Sequence, residues 1–104
     1  RVVVKNNGVD ITTSKGSKAR SVFNGEVCSI MSQGSNSVIL IRHGLYFTLY
    51  ANLDKVYVKV GDKVSTGQEI GRIHTNVNDG KTILHFEICH NNVFMNPALW
   101  IRKN

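Results

Sequence analysis

Turn-forming residues break this chain at short intervals, and the stretches between them have the length and residue types of β-strands. Apolar and β-branched runs cover Val2 to Lys5, Ala19 to Phe23, Gly25 to Met31, Ser37 to Arg42, Tyr46 to Ala51, Lys55 to Val60, Gln68 to His74 and Thr82 to His90, each bounded by turn residues. Breaks fall at Gln33-Gly34-Ser35-Asn36, His43-Gly44, Val60-Gly61-Asp62 and Asn78-Asp79-Gly80. Asn24-Gly25 is expected to close a tight hairpin between its flanking runs, because a type I′ turn needs positive φ at both central residues. No segment carries an apolar stripe of helical period. Pro97 opens one expected helical turn through Ala98, Leu99 and Trp100. The expectation is an all-β fold, a compact barrel-sandwich of short antiparallel strands.

A chain of 104 residues makes one domain, with a core that buries roughly 60 to 65 per cent of its unfolded surface. No apolar run approaches the 18 or so residues a membrane span needs, so no span is expected. The first residues, Arg1-Val2-Val3-Val4-Lys5, already read as a strand. The domain is therefore expected to be a fragment of a longer exported chain whose targeting segment lies upstream. Thirteen basic residues against seven acidic ones give a net charge of +6, which suits nucleic acid, an anionic membrane, an acidic wall polymer or an acidic protein. The cations are scattered singly, which equally fits a solvated, solubilising surface. Aromatics are not interleaved with a basic cluster, and this argues against nucleic acid. Two cysteines, Cys28 and Cys89, are too few for a disulfide framework and lack C-x-x-C spacing. They could form a bridge only with Cα atoms within about 7 Å.

The phrase from Val58 to Gly71, with Gly61-Asp62 for a tight turn, Val64 turned inward and Gly67-Gln68 leading into the next strand, resembles a segment shared by biotinyl and lipoyl carriers, sugar-phosphotransferase domains and lysostaphin-like peptidases. It supports the fold and does not choose a function.

Two further stretches do. Ile83-Leu84-His85-Phe86-Glu87-Ile88, with Asn6-Asn7-Gly8-Val9-Asp10, resembles the metal-binding core of lysostaphin-like (LytM-type) zinc endopeptidases, whose pattern is His-x-x-x-Asp near the start and His-x-His near the end. Asp10 and His85 keep that pattern; Asn6 and Ile83 stand at histidine positions. The middle phrase Arg42 to Leu53 resembles the family's His-Gly strand followed by Tyr-x-His-Leu, with Asn52 at the histidine. The likeness runs from Asn6 to Asn96-Pro97-Ala98-Leu99-Trp100 and is nearest to the degenerate domains of EnvC-type murein hydrolase activators.

The resemblance implies a lysostaphin-like, duplicated-hybrid-motif fold over residues 1–104 as a single degenerate LytM-type domain, placed in the periplasm or cell envelope. It implies a non-catalytic protein that binds and activates a cell-wall (peptidoglycan) amidase during envelope remodelling or cell division. No cofactor and no bound metal are expected. A catalytic zinc takes three protein ligands and an open position for water, and only Asp10 and His85 remain as ligands. Ile83, His85 and Glu87 share one strand face, and an exposed Ile83 there suits protein recognition. Tyr46, Thr48, Tyr50 and Asn52 share a face expected to lie beside His85. The expected partner groove is thus Asn6, Asp10, Tyr46, Thr48, Tyr50, Asn52, Ile83 and His85, with an amidase and peptidoglycan as partners. His43, His74 and His90 are expected to be surface or hydrogen-bonding histidines. Two other functions compete: a zinc metallopeptidase with a rearranged site, and a barrel-sandwich carrier or phosphotransfer domain. None of Lys59, Lys63 or Lys81 has a carrier's setting, and phosphotransfer would want a second histidine facing His85.

Overall fold

The computed structural model describes residues 8–90, and among them every regular element is a β-strand. They are β1 (Gly8–Thr13), β2 (Lys18–Arg20), β3 (Gly25–Gln33), β4 (Asn36–His43), β5 (Tyr46–Val56), β6 (Lys63–Val64), β7 (Glu69–Ile73) and β8 (Thr82–His90). The main path runs β1-β8-β5-β4-β3-β6, while β7 pairs with both β2 and the far end of β5. All pairings are antiparallel.

One strand joins the two layers. The first six residues of β5, Tyr46 to Ala51, pair with β8, and Leu53 to Val56 pair with β7. Between them Asn52 adopts φ 73°, and the register against β4 shifts in the same stretch. A left-handed residue at such a bulge bends a strand without ending it, and asparagine tolerates that conformation better than most residues. Hence the run expected at Lys55–Val60 begins inside β5.

The principal core fills the space between the main sheet and the β2–β7 ribbon. It is built from Ala19, Val27, Ile39, Ile41, Tyr50, Leu53, Val64, Ile70, Ile73 and Leu84, with Phe86 packed against it. A second apolar layer, Val38, Leu40, Phe47, Leu49 and Ala51, lies on the other face of β4 and β5. Sheets buried on both faces lose the simple in-out alternation of sequence, which is why β4 reads as the unbroken run Val38-Ile39-Leu40-Ile41.

Several boundaries differ from the sequence reading. Asn24-Gly25 closes no hairpin: β2 pairs with β7, and Gly25 sits inside the β3–β6 pairing. Asn24 instead accepts hydrogen bonds at Oδ1 from the Thr66 amide and hydroxyl (2.7 and 3.1 Å). The strand β1 has the period-two pattern Val9-Asp10-Ile11-Thr12 but follows Asn6-Asn7, which reads as a break; the two-residue β6 is too short to register as a pattern. The strand expected at Val2–Lys5 and the turn at Pro97–Trp100 lie outside the described residues. Both thiols are free. Cys28 on β3 and Cys89 on β8 are separated by β4 and β5, three strand spacings or about 14 Å, beyond any bridge.

Candidate functional site

Antiparallel pairing of β1 with β8 sets Asp10 directly opposite His85, and pairing of β8 with β5 sets His85 opposite Ala51. Directly opposed residues share a face, so one surface carries Asp10, His85, Ala51, and by alternation Glu87 and Leu49. His85 is held from both sides: its Nδ1 lies 2.7 Å from Asp10 Oδ1, and its Nε2 lies 2.7 Å from Glu87 Oε2. These hydrogen bonds, Asp10's first and then Glu87's, raise the His85 pKa above 6.5 against partial burial. Glu87 also approaches the buried Cys89 thiol at 3.7 Å. Desolvation, reinforced by the Glu87 charge, pushes that thiol up to about 12, which leaves it a packing group.

Beside the cluster runs a cavity of about 420 Å³ lined by Met31, Ser32, Gln33, Val38, Leu49, Ala51, His85 and Glu87. Its floor is the second apolar layer, and its one ionic end is the histidine with its carboxylates. Asn52 borders this end from the bulge: its Nδ2 donates to the Ile83 carbonyl at 2.6 Å, and its Oδ1 accepts from Asn36 Nδ2 at 3.1 Å. Asn52 thus acts as a clamp between β4, β5 and β8. Ile83 shares the His85 face yet is half-buried and does not line the cavity, unlike the exposed side chain expected.

Three of the expected groove residues belong elsewhere. Tyr50 pairs with Phe86, not with His85, so its side chain enters the principal core, fully buried and edge-on to the Phe86 ring at 5.4 Å. Thr48 is equally buried and bonds Tyr50 Oη at 2.9 Å and His43 Nε2 at 2.7 Å. Tyr46 is exposed on that same side, with its ring edge-on to His90. The cause is parity: the β5–β8 register places the odd-numbered residues of β5 on the His85 face, and a one-residue offset exchanges the faces. Asn6 lies outside the described residues. Glu87 was missed as a site residue, although its position two residues beyond His85 on the same strand face was a usable signal.

The other histidines have structural tasks. His43 Nδ1 donates to the Asn24 carbonyl at 2.7 Å, extending the Thr48–Tyr50 chain to the loop before β3. His74 Nδ1 is 3.9 Å from Asp54.

Of the family's zinc-ligand positions, the described residues carry Asp10 and His85, where a catalytic zinc takes three protein ligands. Glu87 engages the other ring nitrogen of His85, as a carboxylate does beside a ligating histidine, but among the described residues no cluster of three or more histidine, cysteine or acidic side chains could hold a metal.

The site's pH behaviour follows. Because the folded-state pKa of His85 is raised, its charge stabilises the fold fully below the unfolded value near 6.5, and that contribution is lost as pH rises through the folded value. An NMR titration of His85 should give a midpoint above 6.5 that falls in Asp10→Asn. The stability advantage of wild type over His85→Gln should be greatest near pH 5 and fade above the midpoint; an advantage that grows with pH would contradict the geometry.

An apolar groove along an antiparallel sheet, with aspartate and histidine facing each other across its first and last strands, defines a lysostaphin-type peptidase domain. A zinc-containing peptidase from Vibrio cholerae superposes with a TM-score of 0.72 at 32% identity, over 83% of this chain and 27% of that one; Staphylococcus simulans lysostaphin gives 0.70 at 26%, over 82% and 37%. The chain belongs to peptidase family M23, whose model matches residues 4–97. Among curated relatives it is 29% identical to the murein hydrolase activator EnvC of Escherichia coli over 92% of this chain and 23% of that protein. It is 30% identical to the murein hydrolase activator NlpD of the same species (92% and 26%), and 32% identical to the peptidoglycan DD-endopeptidase ShyB of V. cholerae (86% and 22%). The chain thus spans about a quarter of the length of these relatives.

Proposed function

We propose that this is a non-catalytic M23 domain of the cell envelope, part of a longer exported protein, whose groove binds a cell-wall amidase and switches it on. The observation that carries the reading is that the Asp10–His85 pair stands, among the described residues, without a cluster of three side chains able to hold a metal. Two such side chains fall short of the three protein ligands a catalytic zinc takes. At histidine positions of the family pattern, Ile83 offers neither a proton shuttle nor an oxyanion donor, and the Asn52 amide, bonded to the Ile83 carbonyl and to Asn36, cannot shuttle a proton. Similarity to EnvC and NlpD, both named murein hydrolase activators, supports it. What remains is an apolar channel with an ionic end, a surface suited to an inserted protein segment.

Activation requires the groove to bind the partner's active conformation better than its inhibited one, by about 2.7 kcal/mol for a hundredfold shift. Met31, 46% exposed on the groove wall, is the anchor that can be changed without touching the core. Met31→Glu should reduce stimulation of an envelope amidase on purified wall at least tenfold with an unaltered circular dichroism spectrum. Wild-type protein, purified without chelator, should carry far less than one zinc per chain and cleave no cross-links. Full stimulation by folded Met31→Glu would move the interface elsewhere. One zinc per chain with wall cleavage would instead establish the peptidase reading that ShyB exemplifies.

A further inference from the structure

The register of the β2–β7–β5 ribbon places like charges in a row. Lys18 is directly opposite Arg72, and Arg72 on its other side is directly opposite Lys55. The neighbours Ala19, Gly71 and Ile73 are buried, and Val56 packs against the principal core, so the three cations point outward from the ribbon. Directly opposed like charges destabilise a sheet. Arg72 is relieved by Asp54, whose Oδ1 lies 2.8 Å from its Nε, and on the same face Arg20 is paired with Glu69 at 3.0 Å. Lys18 and Lys55 are both exposed, and neither has an ion pair among the described residues. Two unneutralised ammonium groups therefore stand on strands two spacings apart, about 10 Å.

We infer that this outer face is a docking surface for a carboxylate-bearing wall polymer, with Lys18 and Lys55 each engaging one acidic group of the strand. Charge complementarity selects the occupant. A membrane plane would sense the whole face, where Asp54 and Glu69 offset two of the four cations, and its attraction of about 1 kcal/mol per basic residue would be halved. A polymer with discrete anions meets the two free lysines and leaves the two acids in their arginine pairs. The inference rests on the envelope reading above and deepens it: the face lies on the β7 end of β5, whereas the groove lies on its β8 end, so the domain can hold the wall and the amidase at once.

The test is co-sedimentation of the full chain with purified peptidoglycan at low salt, alongside vesicles containing anionic phospholipid. Lys18→Gln/Lys55→Gln should weaken wall binding at least tenfold, and Lys18→Arg/Lys55→Arg, which keeps the charges, should retain it; raising salt should weaken wild type steeply and the glutamine variant little. Stimulation of the amidase on soluble glycopeptide fragments should be the same in all three proteins, so a failed activator reading appears in that assay and a failed docking surface in the first. Equal wall binding by wild type and the folded glutamine variant would overturn the inference, as would vesicle binding as tight as wall binding.

Discussion

Tyr50→Ala should remove about 3–5 kcal/mol of stability, the cost of deleting a fully buried aromatic ring and leaving its cavity, and this is a large part of the 5–15 kcal/mol that holds a domain together. The ring has no exposure and packs edge-on against Phe86. Its hydroxyl accepts from the Val22 amide at 3.1 Å and bonds Thr48 at 2.9 Å. Tyr50→Phe isolates the hydroxyl's share: it keeps the ring but leaves the Val22 N–H without its acceptor, for a smaller loss of about 1–3 kcal/mol. Urea unfolding followed by circular dichroism measures both. A Tyr50→Ala protein within 1 kcal/mol of wild type would mean that the ring does not occupy the core. The same burial disqualifies Tyr50→Glu as a probe of partner binding, because a buried charge would unfold the domain.

Gly25→Ala should be among the most damaging exchanges of a single small residue for another. A Cβ at position 25 would stand 2.5 Å from the Arg42 carbonyl oxygen and 2.7 Å from His43 Nδ1. The first is backbone in the β3–β4 ladder and cannot swing aside, so strand spacing must open locally, at about 1–3 kcal/mol or more. The displaced His43 would also loosen its bonds to Asn24 and Thr48. Thermal unfolding should therefore show a drop of several degrees for Gly25→Ala, and almost none for Val77→Ala, whose side chain is 90% exposed. Equal melting temperatures for Gly25→Ala and wild type would show that the ladder relaxes freely.

The strands that carry a run of apolar residues between glycine turns were legible: β8 has the bounds read from sequence, and β3, β4 and β7 differ by one to two residues at either end. The facing of Asp10 and His85 was legible too, because the family pattern names both. Which side of β5 joins them was not. Tyr46, Thr48 and Tyr50 make an attractive polar-aromatic stripe, but a strand's two faces are told apart only by its register with a neighbour, a long-range property absent from local pattern. Asn24-Gly25 failed for a related reason. A tight turn and a close backbone approach both select glycine, and only the fold reveals that here the second demand operates.

Asp10 and His85 are 75 positions apart in the chain, yet the ionic cluster beside the groove is complete only when they meet. The β3–β4 and β4–β5 hairpins close over short loops, whereas β1 can join β8 only after nearly the whole domain is in place, the kind of contact that forms late because its loop entropy is greatest. The groove is therefore a certificate of completed folding. A chain clipped just after Asp10, or one still on the ribosome, would present an incomplete sheet in which Asp10 and His85 never face each other.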